Sequence, residues 1–190
     1  CTLTIIQRLK ATHTELRNSE KHQQNFMQEN FITPRLLLDA LNFSDVEFVR
    51  VLVNTPGWIE FIGDRKIKTN EDGLVYIQKL MSNPNIQYWV VRLKSHNIPV
   101  GVITFIKRDY LDSHDIGFAF LPEYSGKGFA YEAASVVLDA AKSDPVHSRI
   151  FATTLKENVK SIGLLQKLGF HFEMEIEVEE EILQVYSHDS

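Results

Sequence analysis

Hydrophobic and polar positions change period several times along the chain, and each change marks an element. Leu3, Ile6, Leu9, His13 and Leu16 recur at helical spacing in a stretch free of Gly and Pro, which predicts a short amphipathic helix within residues 1–30. Residues 35–41 (RLLLDAL) follow Pro34 and predict a strand. Ser44-Asp45-Val46-Glu47 reads as a capping box, with Phe43 and Phe48 as its hydrophobic staple, and opens a helix over 45–54. Pro56 and Gly57 stop that helix, and residues 58–68 (WIEFIGDRKIK) read as a mixed apolar and charged connection. Thr69, with Asp72 three residues on, is a second N-cap for a helix ending near Met81.

Residues 88–94 (YWVVRLK) and 100–107 (VGVITFIK) are rich in β-branched and aromatic side chains and are joined by a turn over 95–99. A third strand over 115–121 (DIGFAFL) follows, and then the meander gives way to alternation. A glycine-bearing turn leads into a helix over 129–142, a strand over 149–155 (RIFATTL), a helix over 159–168 stopped by Gly169, and strands over 171–178 and 182–188. Strand, helix, strand implies a parallel crossover. The predicted order, β-α-α-β-β-β-α-β-α-β-β, is that of an α+β domain with a mixed central sheet flanked by helices. No repeat or linker divides it, so residues 31–190 are expected to form one domain. The chain opens on Cys1 while Met27 stands just before the first clear strand, and residues 1–30 are therefore set apart as an extension.

Composition narrows the possibilities. A chain of 190 residues buries enough surface to fold without disulfide or metal staples. No apolar run approaches the roughly 20 residues of a membrane-spanning helix, and the single cysteine, Cys1, leaves no internal disulfide. A cytoplasmic protein without membrane association is expected. No His/Asp/Glu set stands at ligand spacing, so no metal is predicted. A net charge of −5 argues against direct nucleic-acid binding. Glu173, Glu175, Glu177, Glu179, Glu180 and Glu181 crowd one stretch and read as a solvated strand face.

Ser125-Gly126-Lys127-Gly128-Phe129-Ala130 carries the most chemical information. Glycines between a strand and a helix let successive N–H groups turn toward one point, and the helix N-terminus adds partial positive charge, so a diphosphate is favoured there. A tight turn that needs glycine for backbone reasons alone is the competing reading. No Gly-Lys-Ser/Thr follows at P-loop spacing, and Tyr131 occupies the third glycine position of a dinucleotide fingerprint.

In these residues the chain resembles the GNAT acyltransferases, whose phosphate loop reads Gln/Arg-x-x-Gly-x-Gly/Ala. Gly128 and Ala130 match the last two fixed positions, and Ser125 replaces the Gln or Arg. The resemblance continues through Pro122-Glu123-Tyr124, Glu132-Ala133, Asn158-x-x-Ser161 and Lys167-Leu168-Gly169-Phe170. The segments Thr33-Pro34-Arg35-Leu36-Leu37-Leu38 and Phe61-Ile62-Gly63-Asp64-Arg65 are similar to the RimJ/RimL branch, which includes ribosomal-protein N-terminal acetyltransferases.

The resemblance implies acetyl-coenzyme A as cosubstrate, no metal, and direct attack by a primary amine, with a peptide α-amine as one acceptor class. It implies that backbone groups of Phe118, Ala119 and Phe120 pair with the pantetheine arm, that Gly126, Lys127, Gly128, Phe129 and Ala130 hold the pyrophosphate, and that Asn158 bonds the arm from the other side. Many such enzymes carry a thiolate-protonating Tyr where this chain has Leu165, and Ser161 matches a serine assigned that role in the RimL-like branch; an ordinary helix serine is the alternative. Thr153 stands where some relatives carry a Glu base. Trp58, Phe61 and Tyr88 either line the acceptor pocket or pack the core. His114 and His147 flank strands and are expected to be solvent-exposed, and Glu132 is explained equally by the helix dipole and by chemistry. Two other functions stay open: a non-catalytic acyl-coenzyme A sensor or scaffold, and a polyamine or small-molecule acetyltransferase. A monomer and a homodimer are both compatible with the sequence.

Overall fold

The computed structural model describes residues 30–189, so the helix anticipated within 1–30 lies outside the described residues. The elements are β1 (Asn30–Ile32), β2 (Leu36–Ala40), α1 (Val46–Val53), α2 (Pro56–Phe61), α3 (Asn70–Met81), β3 (Ile86–Leu93), β4 (Ile98–Lys107), β5 (His114–Phe120), α4 (Phe129–Lys142), β6 (Arg149–Thr154), α5 (Val159–Lys167), β7 (His171–Val178) and β8 (Glu181–Asp189). The strands form one eight-stranded sheet in the order β1-β2-β3-β4-β5-β6-β8-β7. Neighbours are antiparallel except β5 and β6, the two strands joined by the α4 crossover.

Alternation within each strand feeds two cores. On one face Trp89, Val91, Ile103, Ile116 and Ile150 meet Ala133, Ala134 and Val137 of α4 and Leu165 of α5. On the other, Val90 and Val102 meet Val49 and Leu52 of α1, Trp58 of α2 and Ile77 of α3. A central strand covered on both faces needs apolar residues at every position, which is why β3 and β4 read as continuous hydrophobic runs. The acidic stretch runs from β7 through the turn at Glu179 and Glu180 to Glu181 of β8, and all six glutamates are exposed, as their charge predicts.

Three local readings need correction. Residues 56–61 are helical, because Pro56 occupies the first helical position, where its fixed φ and missing N–H cost nothing; the proline starts α2 rather than merely ending α1. The cap before α1 belongs to Asn42, not Ser44. Its Oδ1 accepts the Ser44 N–H at 2.9 Å and Asp45 Oδ2 accepts the Asn42 N–H at 3.0 Å, which opens a 3-10 turn over Phe43–Asp45. Phe43 is exposed. Strand β1 escaped prediction because three residues with only Phe31 buried are too few to show alternation. The Thr69/Asp72 capping box is present as expected, and Asp72 accepts the Thr69 and Lys68 N–H groups, which hold its carboxyl below the usual range.

The feature that positions the site is the parallel pair. Strands β5 and β6 are in register at one position, Asp115 opposite Phe151. Beyond it β5 runs on through Gly117–Phe120 and β6 through Ala152–Thr154, and residues of both line the opening between them.

Candidate active site

The opening between β5 and β6 is part of a cleft of about 1290 Å³. Phe118, Ala119, Phe120, Gly126, Gly128, Phe129, Ala130, Asn158, Ser161, Trp58, Phe61 and Tyr88 all line it. The exception among the expected residues is Lys127. Its carbonyl accepts a hydrogen bond from Arg35 Nη1 at 3.0 Å, and its ammonium lies 5.2 Å from the Tyr124 ring centroid.

At one end of the cleft, Gly126 and Gly128 have φ of 72° and 77°, a left-handed conformation that glycine adopts without strain. Gly128 is the N-cap of α4, and the N–H groups of the first turn that follows have no intrahelical acceptors. The loop is tied to β2 by a latch across the helix start. Glu132 Oε1 accepts from the Thr33 hydroxyl at 2.6 Å and the Arg35 N–H at 2.9 Å, and Oε2 accepts from Arg35 Nε at 2.6 Å. Burial works against the Glu132 carboxylate, yet the bonds from Thr33 and Arg35 prevail and hold its pKa below the usual range. The Arg35 guanidinium also lies 4.6 Å from the Phe129 ring centroid. Dipole stabilisation alone therefore does not account for Glu132: it fastens the loop.

Trp58 of α2 and Tyr88 of β3 supply another part of the cleft wall. Both are buried and both border the cleft, so the core and pocket readings hold together. Trp58 Nε1 and the Tyr88 hydroxyl are buried without a hydrogen-bond partner among the described residues. Burial drives the Tyr88 phenol well above its ordinary pKa, keeping it neutral. The charged side chains bordering the cleft are Glu60, Arg65, Lys160 and Lys167.

Asn158 Oδ1 accepts the Ser161 N–H at 3.2 Å, so the Asn-x-x-Ser element caps α5 and fixes Ser161 on the cleft. Leu165 is buried and also borders the cleft. Thr153 also faces the cleft, and its hydroxyl donates to Asp115 Oδ2 at 3.1 Å. Asp115 is 2% exposed and is paired with Arg108, whose Nε donates to Oδ1 at 3.1 Å. Burial raises the Asp115 carboxyl above its ordinary pKa against the opposing effects of Arg108 and Thr153. Sequence reasoning missed this pair because Thr153 and Asp115 are 38 residues apart and meet only through the β5–β6 pairing.

The histidine expectation is wrong for His147, which is 2% exposed. Its ring lies 4.6 Å from that of His114, which stacks on Phe105 at 4.8 Å, and neither histidine borders the cleft. Apolar packing in the strand-end cluster, rather than the polarity of an isolated residue in a turn, sets their position.

A splayed parallel pair with a glycine loop leading into the crossover helix defines a class that comparison with known proteins identifies. Residues 35–171 match the acetyltransferase (GNAT) domain family, and the chain belongs to it: it is a GNAT acyltransferase with a single mixed-sheet α+β domain. It is 29% identical over 141 residues to an uncharacterized N-acetyltransferase, YnaD, of Bacillus subtilis (strain 168), a match covering 74% of this chain and 82% of that protein. Among solved structures, a GNAT-family acetyltransferase from Bacillus anthracis superposes with a TM-score of 0.71 at 28% identity, over 84% of this chain and 98% of that one. Two more distant structures share the fold. RimL, a ribosomal L7/L12 alpha-N-protein acetyltransferase solved with coenzyme A, has a TM-score of 0.72 at 14% identity, covering 84% and 96% of the two chains. The spermidine N-acetyltransferase of Vibrio cholerae, solved with coenzyme A and spermine, has a TM-score of 0.69 at 20% identity, covering 83% and 96%.

Proposed function

We propose that this chain moves the acetyl group of acetyl-coenzyme A onto an α-amine at a peptide N-terminus, as a RimJ/RimL-like enzyme. The observation that carries the reading is the continuity of one cleft from the Gly126–Ala130 loop, through the β5–β6 gap, to the aromatic wall of Trp58, Phe61 and Tyr88. Convergent N–H groups at the start of α4 suit a diphosphate. The pantetheine arm lies in the gap against the backbone of Phe118, Ala119 and Phe120, with Asn158 on its far side, and the thioester then faces the acceptor end. There the neutral amine attacks the thioester carbon, the C–S bond breaks, and the thiolate takes a proton with help from the Ser161 hydroxyl.

Charge around the cleft favours an α-amine over a polyamine. One carboxylate, Glu60, borders it against the cations Arg65, Lys160 and Lys167, so a polycation finds little to neutralise it. An α-amine with a pKa of about 7.7–8.0 is also partly neutral at pH 7, whereas a lysine amine near 10.4 is almost wholly protonated. Free-thiol release at pH 7 checks this with peptides bearing a free α-amine, α-blocked peptides containing lysine, and spermidine. The highest kcat/KM belongs to the free α-amine; a preference for lysine or spermidine overturns the acceptor assignment. Binding of acetyl-coenzyme A without turnover of any amine points to the sensor reading.

A further inference from the structure

We propose that Thr153 and Asp115 form the proton path of the acceptor amine, with the Thr153 hydroxyl taking the ammonium proton as it passes its own to Asp115 Oδ2. This rests on the acetyltransfer reading above. Thr153 occupies the strand position where some relatives carry a Glu base, and a carboxylate stands directly behind it. Asp115 pairs in register with Phe151, so Thr153, two residues further along β6, projects to the same sheet face as Phe151. The Oγ1 to Oδ2 distance is 3.1 Å. Thr153 borders the cleft and Asp115 does not, so the hydroxyl is the contact between the buried carboxylate and any bound amine.

The step balances. Attack forms the C–N bond and leaves a positively charged nitrogen; its proton moves to Thr153 Oγ1 while the Thr153 proton moves to Asp115. The C–S bond breaks to give the thiolate, which is protonated separately, and the proton on Asp115 returns to solvent through Thr153 once the amide has left. Arg108 compensates the buried carboxylate between turnovers. Tyr110 lies near Thr153, Arg108 and Glu179, and Tyr76 lies near Arg108; these are the other titratable groups around the pair. Burial leaves the Asp115 carboxyl a stronger proton acceptor than an exposed aspartate.

The path acts on a proton that is lost after attack begins, so its removal should appear in kcat and leave acetyl-coenzyme A binding alone. With the amine the parent enzyme acetylates best, Thr153→Val is expected to lower kcat by about 100-fold or more, with calorimetric affinity for acetyl-coenzyme A unchanged. Thr153→Ser, which keeps the hydroxyl, restores kcat to within about threefold. A Thr153→Val enzyme that keeps parental kcat where chemistry limits the rate overturns the path. Asp115→Asn leaves Arg108 buried without its counter-charge and risks misfolding, so carboxyl NMR of Asp115 supplies a second measurement. Loss of the Thr153 donor should raise the Asp115 titration midpoint in Thr153→Val, and no upward shift likewise overturns the proposal. A parent silent toward every amine defeats the acetyltransfer reading, a result distinct from any difference among variants, and removes the path with it.

Discussion

At the scale of single residues, the site works by what its neighbours leave free. Ser161 is held on the cleft by its N–H bond to Asn158, so its hydroxyl remains available to a departing thiolate. Leu165, buried one turn further on, offers no donor. A hydrogen bond to a charged group is worth about 1.5–3 kcal/mol, and if that bond forms mainly as sulfur gains charge its loss falls on kcat. Ser161→Ala is therefore expected to reduce kcat about 10- to 100-fold with a smaller change in KM. Steady-state kinetics with saturating acetyl-coenzyme A measures it, and an unchanged kcat where chemistry is slow removes Ser161 from the mechanism.

Among the elements, the start of α4 concentrates the functional constraints. Gly128 sits at φ 77° as the helix cap, and a β-carbon built there meets the Arg35 guanidinium at 3.4 Å. Gly128→Glu adds strain of roughly 1–2 kcal/mol and places a negative charge where the diphosphate is proposed to bind; Gly128→Ala adds the strain alone. Calorimetry should show acetyl-coenzyme A affinity reduced in the order parent, Ala, Glu, with the folded state of each checked by its thermal transition. A Glu variant that binds as tightly as the Ala variant rejects the loop assignment. This helix, its loop and the parallel crossover were legible in the sequence because glycine spacing and hydrophobic period are local signals. Helix α2 was not, since Pro56-Gly57 serves a helix start and a helix stop equally well. Nor was the latch from Arg35 to Glu132 or the bond from Thr153 to Asp115, whose partners are 97 and 38 residues apart. Residue types can nominate such groups, but only strand order brings them together.

For the molecule as a whole, the packed pair of His114 and His147 makes acid stability a property of the fold. His114 is brought beside His147 and Phe105 where the ends of β4 and β5 meet the turn before β6. Burial first, and then repulsion from His147 and Lys107, lowers its pKa from 6.5 to about 4; burial lowers that of His147 as well. The unfolded chain thus binds more protons than the folded one between these values. The His114 contribution is fully present above pH 6.5 and is lost as pH falls toward 4. Because His114 is only partly buried, solvent screening reduces this contribution to about 1–2 kcal/mol. Asp115, with its raised pKa, opposes the trend at the lowest pH, while Glu132 and Asp72, with lowered pKa values, add to it. Thermal unfolding followed from pH 7.5 to 4 should show Tm falling below about pH 6.5. His114→Phe keeps a ring against Phe105 but removes the titration, and its Tm should fall less over the same range. Parallel curves for the parent and the variant would show that acid sensitivity resides elsewhere in the molecule.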